Sequence, residues 1–201
     1  MISEPPAGPP SAPETDDLGN FHWYLRGAIA SLSLPAFILA SSFVGFAALA
    51  LEAGVTMAQA IFMTAVVWAL PSKVVLVGAI IAGNGLLAAA FAVALSAVRL
   101  TPMVVSLVPE MRTPQTRGWV LYLLSHFVAV TSWVLALETL RNVPRARRTA
   151  YYGGLGSTLI FLNMCVVTVV YLVARDLPPA ASAALLLITP IYFLTSLWGS
   201  A

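Results

Sequence analysis

The stretch whose reading decides the fold is "VVWALPSKVVLVG", residues 66–78. It is apolar on both sides of Pro71, Ser72 and Lys73. Proline lacks the amide hydrogen that a helix interior uses, and a charged side chain at the centre of a bilayer costs at least about 2.5 kcal/mol. Together they predict a broken helix, because non-helical backbone at membrane depth is tolerated where it is buried in protein or lines a cavity. Segment 55–83 therefore reads as one discontinuous span or a pair of half-helices, with Pro71 as the interruption. Gly83, Asn84 and Gly85 supply the turn that closes it.

The rest of the chain fits that setting. Of 201 residues, 60% are hydrophobic and 9% charged, whereas soluble domains carry roughly 25% charged residues. This predicts an all-α, polytopic membrane protein with about six transmembrane segments. The other spans are read at 28–51, kinked by Pro35; at 86–98, ended by Pro102 and Pro109; at 118–137; at 151–173; and at 180–198, with a further break at Pro190. Residues 1–25 are rich in proline and acid and are expected to be a disordered tail. It carries no basic and apolar signal-peptide pattern. Residues 26–201 then form a single transmembrane domain. Trp23 and Tyr24 suit an interfacial aromatic belt.

"RNVPRARR", 141–148, places four arginines between two spans. Such an excess marks the cytoplasmic side and suits contact with anionic lipid. Alternation from that loop puts the N-terminus and the turn at 83–85 on the same side, with Arg112, Arg117 and Arg175 opposite. A re-entrant 55–83 would move the N-terminus to the other side. A faint internal echo relates 33–73 to 153–190, each a small-residue span, an acidic turn and a Pro-broken segment. The net charge of +2 gives no reason to expect nucleic acid. The lone Cys165 excludes an internal disulfide and gives no metal-ligand spacing.

Few polar side chains fall inside the spans. Lys73 is open to two readings, pairing with a carboxylate or snorkelling to an interface. Ser72 stands beside it. Arg99 is a substrate contact or an anchor near the outer interface. His126 is a proton-relay candidate or an interhelical hydrogen-bond donor; Asn163 is likewise a substrate contact or an interhelical bond. Glu138 is expected to pair with the arginine loop. Ser125 and His126 are adjacent, so they do not face each other on a helix. No hydrolase, metalloprotease or phosphate-binding motif is present. The chain is therefore not read as an enzyme, and no cofactor is expected.

"GFAALALEAGVTMAQAIFMTAVVWALPSKVVLV", followed by "AVRLTPMVVSLVP", resembles the AzlC family of branched-chain amino acid export permeases. That family shows a segment like "AxxMSxxVFAGASQ" and then "NLRxxLYxxSLAP". Met63 and Thr64 stand at "MS", Trp68 and Ala69 at "FA", and Ser72 at the serine of "GASQ", with Lys73 replacing its glutamine. Arg99 matches the arginine of "NLR"; Ser106 and Pro109 match "S…P". Ser125 and His126 occupy the place of an acidic pair. The resemblance implies proton-driven export of branched-chain amino acids across a bacterial inner membrane; the arginine loop and the alternation of spans put the N-terminus on the cytoplasmic side. It also implies a small hydrophobic partner subunit of the AzlD type. The family carries another apolar segment after "TPIYFLTSL", which implies a chain continuing past Ala201. The competing reading is a non-transporting membrane scaffold or lipid-interacting subunit. A polar cavity near the break would favour transport; Lys73, Arg99 and His126 all at interfaces or in dry contacts would favour the scaffold.

Overall fold

The computed structural model describes residues 19–174, together with Leu187 and Ile191. Most of the expected sixth span, including Pro190, lies outside the described residues, as do residues 1–18. Within them every regular element is helical: α1 (Asn20–Ala30), α2 (Leu34–Glu52), α3 (Met57–Val66), α4 (Leu70–Ile81), α5 (Leu86–Ala97), α6 (Thr101–Met111), α7 (Gly118–Ser125), α8 (Val130–Thr139) and α9 (Arg148–Ala174). The all-α membrane class stands. By length and composition, Leu34–Glu52, Leu86–Met111 and Arg145–Ala174 can each cross a membrane, while Met57–Val66 and Leu70–Ile81 are apolar but short.

α9 is the axis of the fold. α1 runs parallel to its first half at very close range. Gly27 lies against the Tyr151 carbonyl, Gly154 against the Tyr24 carbonyl, and neither position has room for a Cβ. Tyr24 and Ser157 hydroxyls bond at 2.7 Å, and Arg147 donates to Asn20 Oδ1 at 2.7 Å. Helix begins at Asn20, so residues 20–25 belong to this body and not to the tail. Trp23 is buried, with the Arg26 guanidinium 4.9 Å from its ring, so it is packed inside instead of forming a belt. The first span does not kink at Pro35. It breaks at residues 31–33, and the proline sits in the first turn of α2, where no amide hydrogen is needed. α2 then follows the second half of α9 to Val55, whose carbonyl accepts from the Tyr171 hydroxyl at 2.9 Å.

From that end, α3 turns inward and α4 returns. α2 and α4 end alike: Gly54 and Gly83 take left-handed conformations (φ 72° and 65°), and the amides of Val55 and Asn84 reach back to the carbonyls of Ala50 and Ala79. α4 and α5 form an antiparallel pair, with Ser72 bonded to Ser96 at 3.1 Å. Proline does not end the third span. A 3-10 turn at Val98–Leu100 carries it into α6, where Pro102 occupies the first turn and Pro109 lies inside. The span closes at Glu110, whose carboxylate pairs with Arg148 at 2.7 Å. Arg148 also donates to the carbonyls of Glu110 and Val143. The expected Glu138 pair with the arginine loop is absent among the described residues, because α6 supplies the acid instead.

These contacts fix the levels. α5–α6 starts at the Val55–Tyr171 end and finishes at the Glu110–Arg148 end. α3 and α4 therefore enter from the first end and leave by it, so 55–83 is re-entrant. Segment 118–137 is not a continuous span. α7 enters from the Arg148 end, the chain breaks at residues 126–129, and α8 returns, with Trp133 Nε1–H donating to Ser106 Oγ at 2.8 Å. Two hairpins thus enter from opposite ends. Their effects on topology cancel, so Gly19, the first described residue, lies at the arginine end. Arg112 and Arg117 join it there, and Gly83, Asn84 and Gly85 lie at the other end, opposite to the simple alternation. A span plus a re-entrant hairpin occurs twice, at 34–81 and at 86–139, in inverted orientation; the repeat foreseen at 33–73 and 153–190 lies partly outside the described residues.

Candidate functional site

Both hairpin breaks lie at the same depth, halfway along α5–α6. In the first, α3 is started by reciprocal bonds between Thr56 and Gln59 and stops at Val66. Val67, Trp68 and Ala69 are non-helical, and α4 begins at Leu70 with Pro71 in its first turn. The break thus precedes Pro71. A residue before proline disfavours helix, and proline itself suits a helix start. In the second, Ser132 holds the break open. Its hydroxyl accepts from Ala129 N–H at 2.9 Å and donates to Phe127 O at 2.6 Å. The Phe127 ring packs against Gly156 of α9.

Between the breaks lies a cavity of about 400 Å³. Val66, Val67, Trp68, Ala69 and Ser72 line it from the first hairpin, Ser125, His126 and Val128 from the second, and Val93, Ala97, Leu100, Thr101 and Val104 from α5–α6. Its wall is mostly apolar, with five side-chain exceptions: Ser72, Thr101, Ser125, His126 and the indole N–H of Trp68, which has no hydrogen-bond partner among the described residues. The His126 Nε2–H donates to Ala65 O at 2.8 Å, joining the two breaks. A carbonyl only accepts, so Nε2 carries the hydrogen of this bond. At the end of α3, Met63 O accepts from Val67 N–H and Ala65 O from His126; at the start of α4, Pro71 has no amide hydrogen and Lys73 N–H bonds Ala69 O at 3.2 Å, which leaves the amides of Leu70 and Ser72 without a helical partner. Such ends carry opposite partial charge, positive at the start of α4 and negative at the end of α3.

The structure separates the residues singled out in the sequence. Ser72 and His126 meet at the cavity. Lys73 does not line it: the side chain is fully buried, Nζ has no hydrogen-bond partner, and it stands 3.6 Å from the Phe43 ring centre and 4.6 Å from that of Phe46. Neighbours on a helix point about 100° apart, which sends Ser72 to the cavity and Lys73 towards α2. Arg99 lies at the right depth but faces outward, about 200° of helix rotation from Ala97 and Thr101. Asn163 is buried in α9, donating to Leu159 O at 2.7 Å with Oδ1 unpartnered. It borders a second, almost wholly apolar cavity of about 440 Å³ between α2 and α9, which Cys165 also lines.

Ser96, Thr101 and Ser132 are site residues that sequence reading passed over. Only Ser132 left a local trace, as a small hydroxyl residue three places after a helix-starting position.

The family model described as AzlC protein matches residues 36–176, more than half of the chain and all of the cavity. Nothing matches among curated proteins or solved structures.

Proposed function

The chain belongs to the AzlC family, and from that premise we propose that it is a permease subunit exporting branched-chain or other hydrophobic amino acids. The family is generally associated with branched-chain amino acid transport and is of transporter type. The observation that carries the finer reading is the meeting of two oppositely inserted hairpin breaks at one cavity. An amino acid has three parts to recognise. Its carboxylate suits the amides at the start of α4 and the Ser72 hydroxyl; its ammonium suits the carbonyls at the end of α3. Its apolar side chain suits the wall made by Val93, Leu100 and Val104. The volume falls in the range of small-ligand sites.

In this reading each hairpin gates one side, and the bond from His126 to Ala65 holds both closed. Export is coupled to proton entry, with His126 as the relay. The arginine end faces the cytoplasm of a bacterial inner membrane, since Arg112, Arg117 and the four arginines of 141–148 gather there while the described loops 53–56 and 82–85 carry no base. A small hydrophobic AzlD-like subunit completes the exporter. The cavity favours transport over a scaffold role, although Lys73 in its dry aromatic setting is what a scaffold would also show.

Proteoliposomes containing the chain and its small partner, loaded with labelled valine, test the reading. Release under a pH gradient is expected. Release no faster than from protein-free vesicles overturns it.

A further inference from the structure

Arg99 is exposed halfway along a helix that crosses from one end of the molecule to the other. Each end of Leu86–Met111 is about 18–20 Å away along the axis, and half of a bilayer core is only about 15 Å thick. The guanidinium therefore sits near mid-depth on the outside of the molecule, with no hydrogen bond or ion pair to any described residue. Intramembrane arginines face a protein interior or a water-filled cavity and pair with an acceptor. Beside Arg99 runs a stripe of Leu87, Phe91, Leu95, Val98 and Val105, each at least 60% exposed, with Leu95 the member nearest to Arg99 in helical rotation. Their spacing of three, four and seven residues is that of a seam on which another helix packs.

We infer that this face of α5–α6 docks a transmembrane helix of a second, different polypeptide, which presents a carboxylate to Arg99 at mid-depth. The inference deepens the partner reading above and rests on it. No described acid of this chain supplies the group. Its described acids, Glu52, Glu110 and Glu138, lie at or within a residue of helix ends, and Glu110 is already paired with Arg148. The described part of a second copy would thus bring no carboxylate to the depth of Arg99, and a lipid headgroup does not reach it. Charge complementarity selects another protein.

The test places p-benzoylphenylalanine in place of Leu95 in the full chain, in the membranes of its own host cell, and identifies the photo-adduct by mass spectrometry. The expected product joins Leu95 to a single other membrane polypeptide, at a helix carrying Asp or Glu mid-way. Arg99→Gln should lower the adduct yield by about tenfold or more, Arg99→Lys should retain it, and Arg99→Glu should lose it and regain it when the partner's carboxylate is changed to Arg. Membrane yield is measured for each variant, so a failure to insert is seen directly. Adducts to lipid only, to a second copy, or to residues 175–201 of the same chain overturn the inference, as does a partner helix without a carboxylate or a yield indifferent to Arg99→Gln. Valine release is followed in parallel. Lost release with the adduct intact strikes the transport reading, and a lost adduct with release intact strikes this interface.

Discussion

The imidazole of His126 donates to the carbonyl of Ala65 across 2.8 Å, and this is the direct side-chain link between the two hairpins at their breaks. Each hairpin ends in unpaired backbone at that depth, so the bond satisfies a carbonyl that would otherwise lie unpaired in the membrane.

His126→Ala should therefore loosen both breaks. Valine transport should fall at least about tenfold, since misplacing a site by ~1 Å costs up to about 100-fold in catalysed steps. His126→Gln, which keeps a donor, should retain a larger share of transport. A pH dependence of transport that survives His126→Gln rules out the relay role.

Lys73→Met should leave the protein inserted and folded, with a melting temperature equal to or above that of the parent. Nζ is buried without a hydrogen-bond partner, and replacing an unpartnered buried polar group by an apolar one of similar shape is neutral or stabilising. The apparent affinity for valine should be unchanged, because Lys73 does not line the cavity. A rise in KM of about tenfold or more would show a substrate contact after all; a tenfold change corresponds to about 1.4 kcal/mol.

Gly154→Val and Gly27→Val should each destabilise the chain by about 1–3 kcal/mol, read from thermal unfolding in detergent. Both insert bulk against backbone, at Tyr24 and Tyr151 respectively. Gly78→Ala is the control: nothing lies within 4 Å of the added Cβ, and a helix interior favours Ala over Gly by roughly 0.8–1 kcal/mol. Equal stability of the Gly154 and Gly78 variants would contradict the close approach of α1 and α9.

Arg148→Ala should cost more than Glu110→Gln. The ion pair alone is half exposed on the Glu110 side, and exposed pairs contribute about 0.2–1 kcal/mol. Arg148 additionally satisfies two carbonyls, from Val143 and Glu110, that close α6 onto α9. Equal losses in the two variants would show that only the charge matters.

Asn84→Cys and Gln115→Cys, each in a Cys165→Ser background, should be labelled from opposite sides of the membrane by an impermeant maleimide. Gln115 should share its side with the arginine loop. Labelling of both from one side would refute the paired re-entrant hairpins.

The first break was legible because Pro71 and Lys73 interrupt an apolar run, and either alone signals trouble for a span. The second was not. "LSHFVAVTS" holds no proline or glycine, and the break there depends on the Ser132 hydroxyl and on Phe127 seating against Gly156, a contact with a helix far along the chain. The same limit applies to Lys73. Composition shows that a basic group lies next to Ser72, but which of two adjacent side chains faces the cavity depends on how α4 is rotated against α2. Pro102 misled in the opposite direction: it reads as a stop, yet a 3-10 turn lets it open α6 and keeps Arg99 mid-span instead of at an edge. The family motif residues Ser72 and Arg99 are thus at one depth but on different faces.

Ala65 and His126 are separated by 61 positions. A ribosome adding about 5–20 residues per second needs roughly 3–12 s to cover that interval. For those seconds the first hairpin exists at the translocon with the Ala65 carbonyl unclaimed, a nascent intermediate whose stable seating must wait for a later part of its own chain.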